Sequence, residues 1–328
     1  MERIVIKRVL YIWTGRKMNI NKTNTGRMKI NYIIIFLLGI VGSVSAQQDP
    51  MFTQYMHNPV SINPAYAGSR GTLNVVMMNR QQWVGLDGAP KTMTLSINSP
   101  FINYNVGIGF SLLYDQIGPT RQVGIYTDYA YHLKVTGKVK LAFGLKGGFN
   151  MYDVNTLNLQ GSQDEENPKV EKMYLPNFGL GSYLYSDRFY LGLSIPKMLQ
   201  NSLSDNKNTL LNKEERHYYF TGGLVFDVFE NVKFKPSFTF RIVQGAPLSS
   251  ELSGAFLFYD RLWLGGMYRY AEALGAMVKF DISGKFSLGY AYDLTLSRLG
   301  NYNQGTHEVY ISYDIDFRNK KILSPRYF

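Results

Sequence analysis

The sequence predicts an all-β fold: a transmembrane antiparallel up-and-down β-barrel of about 14 strands, with an N-terminal plug-like segment. Three observations predict it. Apolar and polar residues alternate with a period of two along almost the whole chain beyond Arg70. The long connections between these runs fall on one side only. The composition holds 25 Tyr, 20 Phe and 31 Gly but no Cys, and no run of 18 apolar residues that would make a transmembrane helix.

The N-terminus reads as a leader. Met28-Lys29-Ile30-Asn31 precedes an apolar run from Tyr32 to Val41, then Gly42-Ser43-Val44-Ser45-Ala46, a small-residue cleavage pattern ahead of Gln47. The apolar run, about 10 residues, is shorter than the roughly 20 a membrane helix needs. Without a nearby Cys, a lipoprotein anchor is excluded. The signal is complete from Met28, so residues 1–27 read as an over-long start and 1–46 are set aside from the fold. The formal net charge of +11 then falls to +4, from 27 basic and 23 acidic residues in the remaining 282. A nucleic-acid partner loses its main support with that basic leader.

Residues 47–70, QQDPMFTQYMHNPVSINPAYAGSR, cannot form a strand, because Pro50, Pro59 and Pro64 each remove a backbone donor. Met51, Phe52, Tyr55, Met56, Val60, Ile62 and Tyr66 make the segment too apolar to stay solvated. A proline-pinned aromatic coil needs a cavity to bury itself in, and residues 71–328 are expected to build that cavity as a barrel.

The strand runs are expected near 71–82, 90–98, 104–114, 121–133, 138–152, 175–185, 188–195, 216–227, 231–243, 248–259, 261–270, 273–281, 285–294 and 306–317. Between Val232 and Ile242, Val232, Phe234, Phe238, Phe240 and Ile242 share one face, and Lys233, Lys235, Ser237, Thr239 and Arg241 the other. Near the end, Val309, Ile311, Tyr313 and Ile315 oppose Tyr310, Ser312, Asp314 and Asp316. Several runs have the 9–11 residues that a tilted strand needs to cross a bilayer.

Every even-numbered connection is tight, as at Lys134–Gly137, Ser186-Asp187, Asp260 and Ser283-Gly284. The long ones, Asp153–Tyr174, Pro196–Glu215 and Thr295–Gly305, are all odd. Short turns on the periplasmic side and long loops outside fit an outer-membrane barrel. The alternative for the same periodicity is a β-sandwich with the apolar face as its core, but a sandwich has no reason to segregate its loops. Eight strands fill their own lumen and sixteen leave a channel; about fourteen need a filler, and residues 47–70 are available.

Little in the chain suggests catalysis. His57, His132, His217 and His307 show no metal-ligand spacing, and no thiol is present. His132 and His217 fall at strand ends, where a solvated imidazole is expected. No G-x-S-x-G or comparable nucleophile cluster occurs. Gly107-Ile108-Gly109 lies within a strand and serves lumen packing rather than phosphate binding. Asp164-Glu165-Glu166 could take a cation, although consecutive acids in a surface loop are usually just solvated. Lys233, Lys235 and Arg241 could line an anion path, but lumen cations more often pair with lumen acids such as Asp128 or Asp281. The reading is of a protein that is not an enzyme, with no cofactor and no metal.

Asp49-Pro50-x-Phe52-x-Gln54-Tyr55, Asn58-Pro59 and Asn63-Pro64-Ala65-Tyr66-Ala67-Gly68 resemble the PorP/SprF family of the type IX secretion system of the Bacteroidetes. The resemblance continues through Arg80-x-Gln82-Trp83-x-Gly85, Gly88-Ala89-Pro90-x-Thr92, Ser99-Pro100 and the final Ser-Pro-Arg-Tyr-Phe. Asn-Pro-Ala also recurs at the plug of FadL-like fatty-acid channels, so a channel for a hydrophobic solute stands as the alternative. The family resemblance implies a non-enzymatic outer-membrane barrel that aids secretion or surface anchoring of adhesin-like cargo, gliding adhesins included. Its implied partners are outer-membrane lipid, the C-terminal domain of a type IX cargo protein and periplasmic type IX components. Asn58, Asn63 and the prolines are expected to fix turns of the plug or to touch a partner. Trp83 and Gly85 to Pro90 are expected to form the first outward turn, with Trp83 as an interface aromatic.

Overall fold

The computed structural model describes residues 50–101, 105–154, 172–202, 214–316 and 327. The expected leader, Asp49, the acidic triplet at 164–166, Ser324 to Arg326 and Phe328 lie outside the described residues.

Fifteen strands form one antiparallel sheet: β1 Leu73–Gln81, β2 Lys91–Pro100, β3 Val106–Ile117, β4 Thr120–Lys134, β5 Lys140–Val154, β6 Met173–Tyr185, β7 Phe189–Ile195, β8 His217–Leu224, β9 Phe226–Phe229, β10 Val232–Val243, β11 Ser249–Phe258, β12 Leu262–Arg269, β13 Ala273–Ser283, β14 Phe286–Thr295 and β15 Thr306–Ile315. β8 and β9 lie along the same edge of β10, so the barrel has 14 staves. It closes where β1 pairs with β15, from Leu73↔Ile315 to Gln81↔His307.

The expected single strand over 216–227 is broken at Val225. Its amide still donates to the carbonyl of Arg188 at 2.8 Å on the β7 side, while the register on the β10 side slips at Val232/Lys233. A slip of register confined to one side of a strand is the mark of a bulge.

The alternation puts large apolar side chains outward. Leu145, Leu193, Leu252, Leu288, Val309 and Ile311 stand exposed on the outer face, while Lys146, Ser194, Glu251, Ser287, Glu308 and Ser312 are buried inward. Such an apolar exterior and polar interior suit a barrel wall in lipid. On one rim the connections are 101–105, 135–139, 186–188, 230–231, 259–261 and 284–285, none longer than five residues. The other rim carries 82–90, 155–172, 196–216 and 296–305 among its connections.

The core is the lumen, and residues 50–70 occupy it. They form three 3-10 turns, Tyr55–His57, Pro59–Ser61 and Pro64–Tyr66. Pro59 and Pro64 each open a turn, where a missing N–H leaves no bond unmade. Val60, Ala65, Tyr66 and Ala67 pack with Ala130, Ala142, Tyr183 and Tyr190 of the wall, and Phe52, Tyr55 and Ile62 with Val76, Met78, Tyr219 and Tyr310. Glycines on the wall let the two backbones approach. A Cβ on Gly107 would sit 1.9 Å from the Ala67 carbonyl oxygen, and one on Gly144 2.2 Å from the Ala65 nitrogen.

Candidate functional site

The lumen segment runs from the long-loop rim to the short-turn rim, bonded to the wall along its length. At the upper end the amides of Thr53 and Gln54 each donate to the Glu308 carboxylate at 2.9 Å. The Thr53 hydroxyl donates to Asp293 at 2.7 Å. Arg80 joins the same group, with Nη1 3.0 Å from Glu308 Oε2 and Nη2 2.9 Å from Asp293 Oδ2. Beside it, Arg269 pairs with Glu251 and donates to the Phe52 carbonyl at 3.4 Å. A buried charge is tolerable only when paired and hydrogen-bonded, and here the plug's own backbone and hydroxyl help to satisfy the carboxylates.

In the middle, Lys146 Nζ pairs with Asp128 at 3.0 Å and donates to the Val60 carbonyl at 3.3 Å. Ser194 donates to the Ile62 carbonyl at 2.8 Å. Near the lower end, the His132 ring meets the Ala67 carbonyl through Nε2 and the Tyr185 hydroxyl through Nδ1, both at 2.9 Å. Arg70 closes the segment with a double contact to Asp314, Nε to Oδ1 and Nη2 to Oδ2, each 2.9 Å.

The motif residues divide into two groups. Pro50 is half-buried, and its carbonyl accepts from the Tyr55 hydroxyl at 2.8 Å. Phe52 meets Tyr55 edge-on at 5.8 Å, and Gln54 is buried. Asn58 points away from the turn that it precedes and donates instead to Ser96 Oγ at 3.2 Å. Asn63 does cap its turn: Oδ1 accepts from the Ala65 amide at 3.0 Å while Nδ2 donates to the Ser182 carbonyl at 3.0 Å. Pro59, Pro64, Ala65 and Tyr66 are buried, with Tyr66 edge-on to Tyr183 at 5.5 Å. Gly68 has φ +75° and lies against Pro100 and Gly107, where a Cβ would be 2.7 Å from the Gly107 Cα.

Gln82, Trp83, Gly85 and Pro90 sit in the 82–90 turn of the long-loop rim. The Gln82 amide bonds the Pro90 carbonyl at 3.0 Å, and the Trp83 amide bonds Thr306 Oγ1 at 3.2 Å. Trp83 has φ +52° and Gly85 φ +96°. The two groups meet around one vestibule of about 500 Å³, whose lining includes Pro50, Met51, Gln82, Trp83, Arg80 and Arg269.

Several residues depart from expectation. His132 and His217 are buried rather than solvated, because β4 and β8 turn them inward, and His217 Nδ1 meets the Glu215 carbonyl at 2.9 Å. Asp128 and Asp281 do pair with lumen cations, but with Lys146 and Lys279 rather than with the β10 cations. Lys233 reaches Asp260 at the rim, 2.8 Å away. The sequence places Arg80, Asp293 and Glu308 each on the polar face of its strand, and their grouping comes only from the fold.

Burial, with Lys279, Lys235 and Arg70 adding to it, holds the His57 imidazole well below its ordinary value. Burial likewise raises the Tyr66 phenol. Burial opposes charge on Arg70, but Asp314, Tyr66 and Tyr310 together outweigh it and raise the guanidinium's affinity for its proton. Among the described residues, no group of three His, Cys, Asp or Glu side chains is placed to hold a metal.

No curated protein sequence matches the chain. Among solved structures it is similar in fold to the CymD monoaromatic hydrocarbon channel (TM-score 0.49, 8% identity, 84% of this chain and 95% of that one). It is also similar to Omp33 of Acinetobacter baumannii (0.44, 8%, 74% and 98%) and to a FadL homologue of Pseudomonas aeruginosa (0.43, 12%, 82% and 95%). The family described as type IX secretion system membrane protein PorP/SprF matches residues 44–313, and the chain belongs to that family.

Proposed function

We propose that this chain is a non-enzymatic outer-membrane barrel of the type IX secretion system that helps to secrete an adhesin-like cargo protein, or anchors it at the surface. In this reading residues 1–46 are a leader removed on export, 47–70 a plug and 71–328 the barrel. The long-loop rim faces outward and receives the cargo's C-terminal domain, and the short-turn rim faces the periplasmic components. The single observation that carries the reading is a lumen bonded shut in a member of this family: the plug holds Glu308 near one rim and Asp314 near the other. A barrel filled in this way serves better as a docking platform than as a pore.

The test is affinity purification from native outer membranes after mild crosslinking, with mass spectrometry of what is captured. A large secreted protein joined through its C-terminal domain, or type IX periplasmic components, is the expected result. A barrel that arrives alone and carries an apolar small molecule overturns the secretion role.

The channel alternative requires an apolar cavity that holds a solute. An apolar cavity beside the plug is lined by Phe52, Tyr55, Ile62, Leu113, Tyr126 and Tyr219. Its volume is about 80 Å³, against the roughly 300–1,000 Å³ of ordinary small-molecule sites. That is too small for a fatty acyl chain, so the size of the cavity argues for the docking platform.

A further inference from the structure

The outer face of the long-loop rim is not uniform. From β6 to β13 it carries Tyr174, Tyr218, Ile242, Leu248, Tyr270 and Leu274, all exposed, an apolar and aromatic band of the kind that sits at a membrane interface. On β14, β15 and β1 to β4 a polar row interrupts that band. Strand register sets its six side chains side by side. Tyr292 of β14 opposes His307 of β15, which opposes Gln81 of β1; Gln81 opposes Lys91 of β2, which opposes Gln116 of β3, and Gln116 opposes Arg121 of β4. Each is next in sequence to a side chain buried in the lumen, such as Arg80, Thr92, Asp115 or Glu308, so the row faces away from the lumen.

The row is arranged as a set of donors. The Tyr114 hydroxyl donates to Gln116 Oε1 at 3.1 Å, which leaves the N–H groups of that amide for another partner. The Tyr290 hydroxyl meets His307 Nδ1 at 2.6 Å, and Tyr292 stands edge-on to the same ring at 5.2 Å. With Nδ1 accepting from the phenol, the ring proton sits on Nε2. Lys91 and Arg121 are exposed, and among the described residues neither is in an ion pair, although Asp153 of β5 opposes Arg121 and Asp87 lies in the turn before Lys91. Residues two strands apart in such a row lie about 10 Å from each other. His307, Lys91 and Arg121 therefore repeat at that interval, with Gln81 and Gln116 between them.

We infer that this row binds the phosphorylated headgroup of an anionic lipid in the outer leaflet. The charges are complementary: the row holds two unpaired cations and no acid, and guanidinium, ammonium and amide N–H groups all donate to phosphate oxygens. The height is also right. Met93, Val123 and Val309, the next outward residues along β2, β4 and β15, are apolar, so a lipid whose head meets the row lays its chains on an apolar wall. Basic side chains facing acyl chains alone would be costly, whereas at the level of anionic headgroups they are attracted. The inference rests on the reading that the long-loop rim faces outward, and not on the cargo.

The test titrates diphosphoryl lipid A, as the probe, into the full-length barrel purified in detergent, and reads bound lipid by native mass spectrometry. The parent is expected to retain the lipid, and Lys91→Gln with Arg121→Gln should weaken binding by about 25-fold, a factor of roughly five for each basic side chain. Lys134→Gln with Lys138→Gln, on the short-turn rim, should leave it unchanged. No binding by the parent, no loss in the first pair, or equal loss in both pairs overturns the site. Displacement by inorganic phosphate beyond that by chloride at equal ionic strength marks a free-phosphate site and overturns the lipid assignment. Orientation is read separately. The chain has no Cys, so Asp87→Cys, in the exposed 82–90 turn, should be labelled on intact cells by a membrane-impermeant maleimide. A cysteine that stays unlabelled overturns the outer-leaflet assignment. Cargo capture enters neither readout, so failure of the lipid site and failure of the secretion role are distinguishable.

Discussion

Arg70 and Asp314 are tied by two parallel contacts of 2.9 Å each, joining the end of the plug to the last strand of the barrel. Asp314 also accepts from Thr72 at 3.1 Å and from Asn74 at 3.0 Å. The pair fixes where the lumen segment leaves and where β1 begins. Asp314→Ala strips a nearly buried guanidinium of this partner and should cost about 3–5 kcal/mol. Arg70→Met with Asp314→Leu removes both charges and should cost less than the single change. Denaturant midpoints of the purified barrel in detergent check the order; a double variant weaker than Asp314→Ala would sink the argument.

Gly144 of β5 is a point where the wall has no room for a side chain. A Cβ there would lie 2.2 Å from the Ala65 nitrogen and 2.4 Å from the Pro64 carbonyl carbon, both backbone atoms. Three residues on, Gly147 has open space, with nothing within 4 Å. Gly144→Ala is therefore expected to lift the Pro64–Tyr66 turn off the wall while the strand ladder persists. Gly147→Ala should stay within about 0.5 kcal/mol of the parent. Limited proteolysis reads the difference: only the Gly144 variant should be cut between residues 50 and 70.

The strands were legible because the two-residue period survives in most staves, β10 included, where Lys235, Ser237 and Arg241 alternate with Phe234, Phe238 and Phe240. The lumen segment was legible from its prolines and aromatics. Which acid meets which base was not. Arg80 and Glu308 are 228 positions apart and meet only because β15 returns to β1. Strand alternation assigns a charge to the lumen but says nothing of its height or partner. His132 read as solvated for a related reason: its place near a strand end was visible, whereas the Ala67 carbonyl and the Tyr185 hydroxyl that receive it come from distant stretches. The contact of Trp263 with Tyr327 was not legible either, since only the β10–β12 wall brings the two together.

His57 makes the docked plug sensitive to acid. It lies between Trp263 and Tyr310, ring centres 6.1 and 5.5 Å away, facing the charges of Lys279, Lys235 and Arg70. Burial first, then those cations, depress its proton affinity, so the docked form holds the neutral ring. The undocked form takes up a proton near the ordinary value of 6.5. Stability from this group is thus fully present above about pH 6.5 and is lost as pH falls toward the depressed docked value, by up to about 1.4 kcal/mol per pH unit. Denaturation midpoints from pH 8 to pH 5 should fall more steeply for the parent than for His57→Gln. Parallel profiles would remove His57 from the account.

Asn63 has two duties, and two substitutions separate them. Its Oδ1 caps the Pro64–Tyr66 turn through the Ala65 amide, and its Nδ2 donates to the Ser182 carbonyl of β6. Asn63→Ala loses both; the cap alone is worth about 0.5–2 kcal/mol, and a buried carbonyl left unbonded adds about 1–3 kcal/mol. Asn63→Asp keeps the cap but sets a carboxylate oxygen where an amide now donates, facing a carbonyl in a buried site. A charge there without a donor costs more than an absent side chain. Aspartate should therefore be the worse of the two at pH 8, and the gap should narrow as the carboxylate is protonated under acid conditions. An aspartate variant more stable than the alanine one at pH 8 would show that the Ser182 contact contributes nothing and that Asn63 acts as a turn cap alone.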